Sequence, residues 1–408
     1  MGESKSAVVT LPEVFGPDLL TEGVRSRLRA LIEALLKAEL DATLEAARYV
    51  RTESRAGTRN GSKPRTLHTS FGPVELEVPR ARWLKPGADG AREWKSRMLP
   101  RYQRRAASLD ETLLGLYLSG TNLRRIQAAL RPLLRGAPVG KNVVSRLVQR
   151  LRRHLEAWKA RTLKEGSYVY LYLDATNLNV RILGRVRKVP VLVALGVRLD
   201  GQKEILAMEP QIREREDSWK EVLDGLVRRG FNRPALVVID GHAGLRAAVD
   251  TTWPGVRIQR CTVHKLRNLE TYCLKDQYPQ VKRDFHEIVN APSREAAESA
   301  RKKFVRTWEA RAPKVVRSLE EAGTELLTFY DFPSEQWKGL RTTNPIERLN
   351  LEFKRRVKTQ GSLPNEESAV LLLFGLLVSG QLRFKKITGW HKIAEVVKAA
   401  SEELKKAS

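Results

Sequence analysis

Cysteine is nearly absent: only Cys261 and Cys273 occur in 408 residues. A disulfide framework is therefore excluded, and a reducing cytosol is the expected compartment. Long apolar runs are also missing. The longest, Ala369 to Val378, falls far short of the ~20 residues of a membrane-spanning helix, and the N-terminus lacks the charged-then-apolar pattern of a secretory signal. The expectation is a soluble, cytoplasmic protein with no membrane partner. No glycine-rich phosphate loop is present, which argues against an ATP-driven enzyme, and no nucleophile elbow surrounds a serine. Acidic residues are the minority charge, 47 against 74 Lys and Arg, for a formal net charge of +27. Such an excess predicts attraction to polyanions, with nucleic acid as the natural partner.

The positive charge is unevenly spread. Residues 1–50 hold 6 basic and 8 acidic groups, whereas residues 51–165 hold 26 basic and 9 acidic. Residues 16–50 read as a helix, with Val24, Leu28, Leu31, Leu35 and Leu36 on one face. The stretch from Arg51 to Arg65, with Asn60-Gly61 and many charges, reads as a loop or mobile arm. Val74, Leu76 and Val78 then alternate with polar residues after Gly72-Pro73, predicting a short strand in a small hairpin. From Leu109 to about Leu163 the period is helical. A break at Ser119–Asn122 and a turn from Gly136 to Gly140 suggest a helix-turn-helix unit. Its second helix carries Lys141, Arg146, Arg150, Arg152 and Arg153. An ordinary helical hairpin with a solvated basic face gives the same pattern; the local charge favours DNA contact.

Strand signals follow at Tyr168–Leu173, Leu178–Leu183, Val189–Val197 and Glu204–Met208, with turns at Gly184 and Asp200-Gly201. A helix from about Asp217 to Arg229 stops at Gly230, and Ala235–Ile239, a helix from Ala243 to Asp250 and a strand near Val256 to Arg260 complete the region. This order predicts a mixed sheet with helices packed on it, an α+β or mixed α/β fold. Residues 263–335 lose strand character and read as helices, and the last helices cover about Pro345–Lys358, Glu366–Leu377 and Gly389–Lys406.

Three acids stand out in this framework. Asp174 follows YVYLYL and Asp240 follows ALVVI, each at an expected strand end, where a rigid platform holds a side chain well. Glu347 lies in TTNPIERLN at a helix start. Converging carboxylates are the hard oxygen ligands that Mg²⁺ or Mn²⁺ prefers, and two such ions can clamp a reacting phosphodiester. Each acid also has a bland explanation. Asp commonly ends a strand by starting a turn. With Asn344 as N-cap and Pro345 at the first helical position, Glu347 falls at the third position of a capping box. On that helix Ile346, Leu349, Phe353 and Val357 form the apolar face, while Arg348, Lys354, Arg355, Arg356 and Lys358 suit a phosphate backbone. Cys261 and His264, in CTVH, form half a zinc site at most; a hydrogen-bonding histidine near the sheet is the better reading. Trp219 reads as a core anchor.

The ordered motifs LDA (173–175), IDGHAG (239–244), RCTVHKLRN (260–268) and TTNPIERLN (342–350) resemble bacterial insertion-sequence transposases of the Mutator type. EALLKAELDATL (33–44), RNG (59–61), FGPVELEVPRAR (71–82), Glu214 with Trp219, and Arg229-Gly230 extend the resemblance over most of the chain. It implies a ribonuclease-H-like core split by an all-α insertion and preceded by mainly helical DNA-binding domains. The corresponding layout is an N-terminal helical segment (1–55), a basic arm and small β unit (56–105), a helix-turn-helix-like domain (106–165), the core (166–262 and 341–382), the insertion (263–340) and a C-terminal helix (383–408). It also implies an Asp-Asp-Glu triad at Asp174, Asp240 and Glu347 holding two Mg²⁺ or Mn²⁺ ions, with Cys261 and His264 in support. DNA contacts are expected from Lys141, Arg146, Arg150, Arg348, Lys354, Arg355 and Arg356. The implied activity is binding of terminal inverted repeats, strand cleavage and strand transfer into target DNA by a homodimer on DNA. A nuclease that cuts without joining and a domesticated DNA-binding regulator are the alternatives.

Overall fold

The computed structural model describes residues 18–50, 52–83, 92–118, 141–211, 213–357, 363, 365–380 and 384–407. The chain divides into two compact units, residues 1–148 and 149–408.

In the first unit, helix α1 (Leu19–Leu44) is capped by Asp18, whose carboxylate accepts from the Thr21 N–H at 3.0 Å. Leu36, Leu40 and Leu44 recur every four residues and are buried. Leu36 packs with Leu67, Val74, Leu76 and Leu99, while Leu40 and Leu44 pack with Ala81 and Trp94. Those partners lie on or beside a long antiparallel hairpin, β1 (Gly57–Thr69) and β2 (Gly72–Trp83), with a short third strand β3 (Arg92–Glu93) beside β2. The hairpin expected from Val74 to Val78 is present, but the loop or arm expected from Arg51 to Arg65 is not: from Gly57 onward this stretch is β1. Its first residues are largely exposed, so no apolar alternation marks them. Asn60-Gly61 is a bulge rather than a turn, for the register shifts between Arg59 and Ser62 and Gly61 has φ +70°. Helix α2 (Ala107–Leu118) follows. The core of the expected helix-turn-helix, residues 119–140, lies outside the described residues. The helix expected to read DNA is observed as α3 (Lys141–Ala160), and Arg146 and Arg150 are exposed on it; the Lys141 side chain is also outside the described set.

The second unit is built on a five-stranded sheet with the order β6-β5-β4-β7-β8. Strands β4 (Tyr168–Ile182), β5 (Arg185–Arg198) and β6 (Lys203–Pro210) form an antiparallel meander. β7 (Leu236–Ile239) and β8 (Ile258–Arg260) add in parallel beside β4. The four residues of β7 are all buried, as the run ALVVI predicted. The two strands expected at Tyr168–Leu173 and Leu178–Leu183 are one. β4 runs through Asp174, which therefore lies within a strand rather than at its end. The polar residues Thr176, Asn177 and Asn179 alternate with Leu178 and Val180, and β5 pairs with all of them. Only on the β7 side does pairing stop, at Tyr172↔Val238.

Helices α4 (Glu216–Arg228) and α5 (Ala243–Thr252) cover one face. Trp219, Leu223, Leu226, Leu245 and Val249 pack there against Leu171, Leu173, Val237 and Ile239. Each such fully buried side chain is worth roughly 1.5–3 kcal/mol of transfer free energy. On the other face, Tyr170 and Tyr172 donate their hydroxyls to Gln336 Oε1 (2.5 Å) and the Gly339 carbonyl (3.0 Å). Between β8 and the next core helix run α6 (Thr262–Tyr272), α7 (Tyr278–Val289), α8 (Arg294–Trp308), α9 (Pro313–Glu321) and the short α10 (Trp337–Leu340), matching the helical character read for 263–335. Then come α11 (Asn344–Val357), α12 (Glu366–Val378), which is buried from Ala369 to Leu376, and α13 (Ile393–Ala407). Among the described residues no helix is long and apolar enough to cross a membrane.

Candidate active site

Strand register brings the first two acids together. β4 and β7 are parallel with Tyr172 opposite Val238. Two residues further along each strand direction lie Asp174 and Asp240, at the same offset of 66 (238 − 172 = 240 − 174). Side chains alternate along a strand, so Asp174 shares the face of Tyr170 and Tyr172, opposite α4 and α5. Asp174 is 3% exposed, and its Oδ1 accepts from the Ala175 N–H at 2.9 Å. Asp240 Oδ1 accepts from the His242 N–H at 2.9 Å, an Asx turn that aims the chain into α5. Gly241 is required in that turn. Its φ is +98°, and a Cβ there would lie 2.2 Å from the Arg260 guanidinium.

Glu347 arrives through a sulfur contact. Cys261 follows β8, its N–H donating to the Ile239 carbonyl at 2.7 Å. Its Sγ accepts from both the N–H (3.3 Å) and the hydroxyl (3.4 Å) of Thr343. The Thr343 carbonyl accepts from Ile346 and Glu347, so Thr343, not Asn344, is the residue from which α11 starts. Glu347 consequently sits one position past the capping-box place. Its carboxylate accepts instead from Arg267 Nη1 at 2.9 Å and lies 3.7 Å from His264 Nε2. The expected apolar face of α11 is present, with Ile346, Leu349 and Phe353 buried. Arg348, Lys354 and Arg355 are exposed, and Arg355 pairs with Glu352 at 3.0 Å. The side chains of Arg356 and Val357, and Lys358, lie outside the described residues.

Charges at this place disagree with their surroundings. Burial, reinforced by the charges of Asp240 and Glu347, pushes the Asp174 carboxyl up to about 7, although His264 pulls the other way. Burial opposes charge on His264. A bond to Cys261 and the Asp174 and Asp240 carboxylates outweigh that cost and raise it to about 9. Burial likewise works against the Cys261 thiolate, but His264 and Thr343 bring the thiol below its ordinary value. These couplings place Asp174, Asp240, Glu347 and His264 in one electrostatic cluster.

Two side chains escaped the sequence reading as site residues. Glu214, buried enough for its carboxyl to be raised and also raised by Asp240, accepts from Trp219 Nε1 at 3.0 Å and lies 4.0 Å from His242 Nδ1. Trp219 is fully buried, as expected of a core anchor. Arg267 is the cation on Glu347. Glu214 stands just ahead of α4 and Arg267 within α6, neither after an apolar strand run, and only their place in the shared motifs could have drawn attention to them.

The donor chemistry fits a hard divalent cation. Asp174, Asp240 and Glu347 offer carboxylate oxygen, and two further oxygens nearby in the fold are buried without a hydrogen-bond partner. These are Thr176 Oγ1, two residues along β4 from Asp174, and Asn350 Oδ1, almost one helical turn from Glu347. Among the described residues no three His, Cys, Asp or Glu side chains are grouped as they stand to hold a metal ion; Glu347 is turned to Arg267.

A mixed sheet carrying paired carboxylates, with a helix-borne glutamate beside them, defines an α+β protein with an acidic site. The Mutator-family transposase profile matches residues 9–386, and the chain belongs to that family. It is 33% identical over 377 residues to the transposase for insertion sequence element ISRM5 of Rhizobium meliloti, covering 92% of this chain and 91% of that protein. It is 33% identical over 332 residues to the transposase for IS406 of Burkholderia multivorans, covering 81% and 83%. The transposase for IS256 in transposon Tn4001 of Staphylococcus aureus is 32% identical over the same shares.

Proposed function

We propose that the chain is an active Asp-Asp-Glu transposase that cleaves and joins DNA strands at the ends of its mobile element. The order of an antiparallel meander followed by two parallel strands supports a ribonuclease-H-like core, with the helices between Thr262 and Leu340 as its insertion. The observation that carries the reading is the register match of Asp174 and Asp240 on one sheet face, with Glu347 tied to the same edge through Thr343 and Cys261. A pair of Mg²⁺ or Mn²⁺ ions bound here would polarise the phosphodiester and steady the attacking and leaving oxygens.

The protein's own groups divide the remaining work. Asp174 and Asp240 would hold the cations from a rigid strand pair. Glu347 would complete the set with its carboxylate turned from Arg267, whose guanidinium would then be free to face a DNA phosphate. His264, charged and beside Glu347, moderates the negative field, while Cys261 keeps α11 docked through Thr343. Arg348, Lys354, Arg355 and Arg356 follow the backbone, as do Lys141, Arg146 and Arg150. Water first hydrolyses the phosphodiester at each terminal inverted repeat and leaves a 3′-hydroxyl. That hydroxyl then attacks a target phosphodiester, forming a new P–O bond as the target's 3′-oxygen departs. Two ends require two sites, hence a homodimer on DNA, acting in the cytoplasm at the nucleoid.

The test is a strand-transfer assay with pre-cleaved ends and Mg²⁺. Joined product supports the transposase; cleavage without joining supports a nuclease. Glu347→Gln separates ligation from helix support, because it removes the carboxylate charge while keeping the side chain's shape and its place in α11, where it makes no capping bond. A folded, inactive Gln variant supports ligation, whereas an active one refutes it.

A further inference from the structure

The first unit holds a cationic cavity of about 840 Å³ that none of the expected DNA contacts touches. Its floor is the β1–β2 hairpin, and its wall is the segment that follows β3. This segment is firmly held. Arg65, on β1, donates to the carbonyls of Leu99 (3.4 Å), Pro100 (2.6 Å) and Gln103. Ser96 and the Arg97 N–H bond to Glu39 of α1, and the His68 N–H donates to the Arg104 carbonyl at 2.9 Å. The Arg65 guanidinium is thus spent on structure, but it fixes the neighbours that are not.

Lys63, Lys95, Arg101 and Arg104 line the cavity with exposed side chains. None of them has an ion-pair partner among the described residues; Arg101 lies over the ring of Tyr102 with 5.8 Å to its centroid. The carboxylate in the lining is Glu93, already facing Arg80 at 3.6 Å. Uncompensated cations on a rigid, concave frame are the arrangement that captures backbone phosphates. The aromatic lining distinguishes duplex from single strand. Trp94 is buried in the core, leaving Tyr102, 85% exposed, as the accessible ring. A single-strand site stacks successive bases on several such platforms.

We propose that this cavity is a second DNA site, remote in sequence from the acids, which grips the phosphate backbone of a duplex through Lys63, Lys95, Arg101 and Arg104. It rests on the reading of the chain as a DNA-acting transposase. It positions DNA without reading base edges, so its contribution is sequence-independent.

The experiment measures binding of the full-length chain to a fluorescent 40-base-pair duplex of arbitrary sequence, without divalent ions, across a salt series. Combined replacement of Lys63, Lys95, Arg101 and Arg104 by Gln is expected to lower the slope of log K against log salt by about 3–4 and to weaken binding by at least roughly 30-fold at low salt. Neutralising two cations on the exposed surface of α1 (Arg27→Gln with Lys37→Gln) is expected to change it less than threefold. Tyr102→Ala is expected to leave duplex affinity within about twofold. An unchanged slope in the folded fourfold variant would overturn the proposal, as would a loss confined to single-stranded DNA. Strand transfer tested separately with pre-cleaved ends distinguishes these failures from a failure of the transposase reading.

Discussion

Two charged clusters draw on the same short segment, Arg260 to Arg267, and the fold treats them oppositely. Arg260 and Lys265, whose side chains are 4% and 1% exposed, both turn to Glu321 on α9. Arg260 meets that carboxylate at 3.1–3.2 Å and Lys265 at 2.6 Å. Burial works against the Glu321 carboxylate, yet the two cations hold it below its usual range. Cys261, His264 and Arg267 turn the other way, toward the acids. There Asp174 is buried with no cation bonded to it among the described residues and is pushed up to about 7. One cluster is a charge-paired strut between α9 and the residues that end β8 and begin α6, although Arg260 Nε is buried without a partner among the described residues. The other is electrostatically frustrated, a strain that the divalent cations of the proposed function would relieve.

The comparison can be broken most severely at the acids. Asp174→Ala or Asp240→Ala should each reduce strand cleavage and joining by on the order of 10³-fold or more while the far-ultraviolet dichroism stays native. Retained transposition in cells would remove the residue from the site. A subtler change should improve the protein. The folded value of Asp174, about 7, lies above its ordinary 3.8, so folding favours the neutral acid. The penalty is absent below about pH 4, grows as pH rises toward 7 and is constant above. Asp174→Asn should therefore stabilise the metal-free protein at pH 8 by up to roughly 4 kcal/mol, with no gain at pH 4. Equal melting shifts at both pH values would contradict this.

The charge-paired cluster should respond in the reverse sense. Glu321→Ala strands two buried cations and should destabilise by about 2–3 kcal/mol in urea unfolding. That is below the 3–5 of a fully buried pair, because Glu321 itself is 57% exposed. The smallest effect is expected at Arg267. Its removal frees Glu347, and Mn²⁺ affinity measured by calorimetry without DNA should rise about two- to fivefold, since a half-exposed ion pair is worth at most ~1 kcal/mol. A fall in affinity would mean that Arg267 helps to hold the metal site rather than competing for it.

Legibility in the sequence followed burial. β7 was visible because all four residues are apolar, and α4 because its apolar period ends at Gly230, whose φ is +93°. The apolar face of α11 was visible for the same reason. β1 was not, since its exposed first half carries no periodic signal and is held by pairing with β2. The continuity of β4 was hidden because polar residues past Asp174 look like a break until β5 is laid beside them. The start of α11 was displaced by one residue because the choice between Thr343 and Asn344 depends on a sulfur that is 82 positions away in the chain.

By itself, then, the amino-acid order determined which groups are candidates for the proposed chemistry: paired acids after apolar runs, a helix-borne glutamate, an excess of cations. It determined these because side-chain type and local period are local properties. Tertiary structure decided which acid faces which cation. It set Asp174 beside Asp240 by strand register, turned Glu347 to Arg267 and brought Glu214 toward His242. Those pairings are non-local, and their energies exist only once the sheet has closed and water has left.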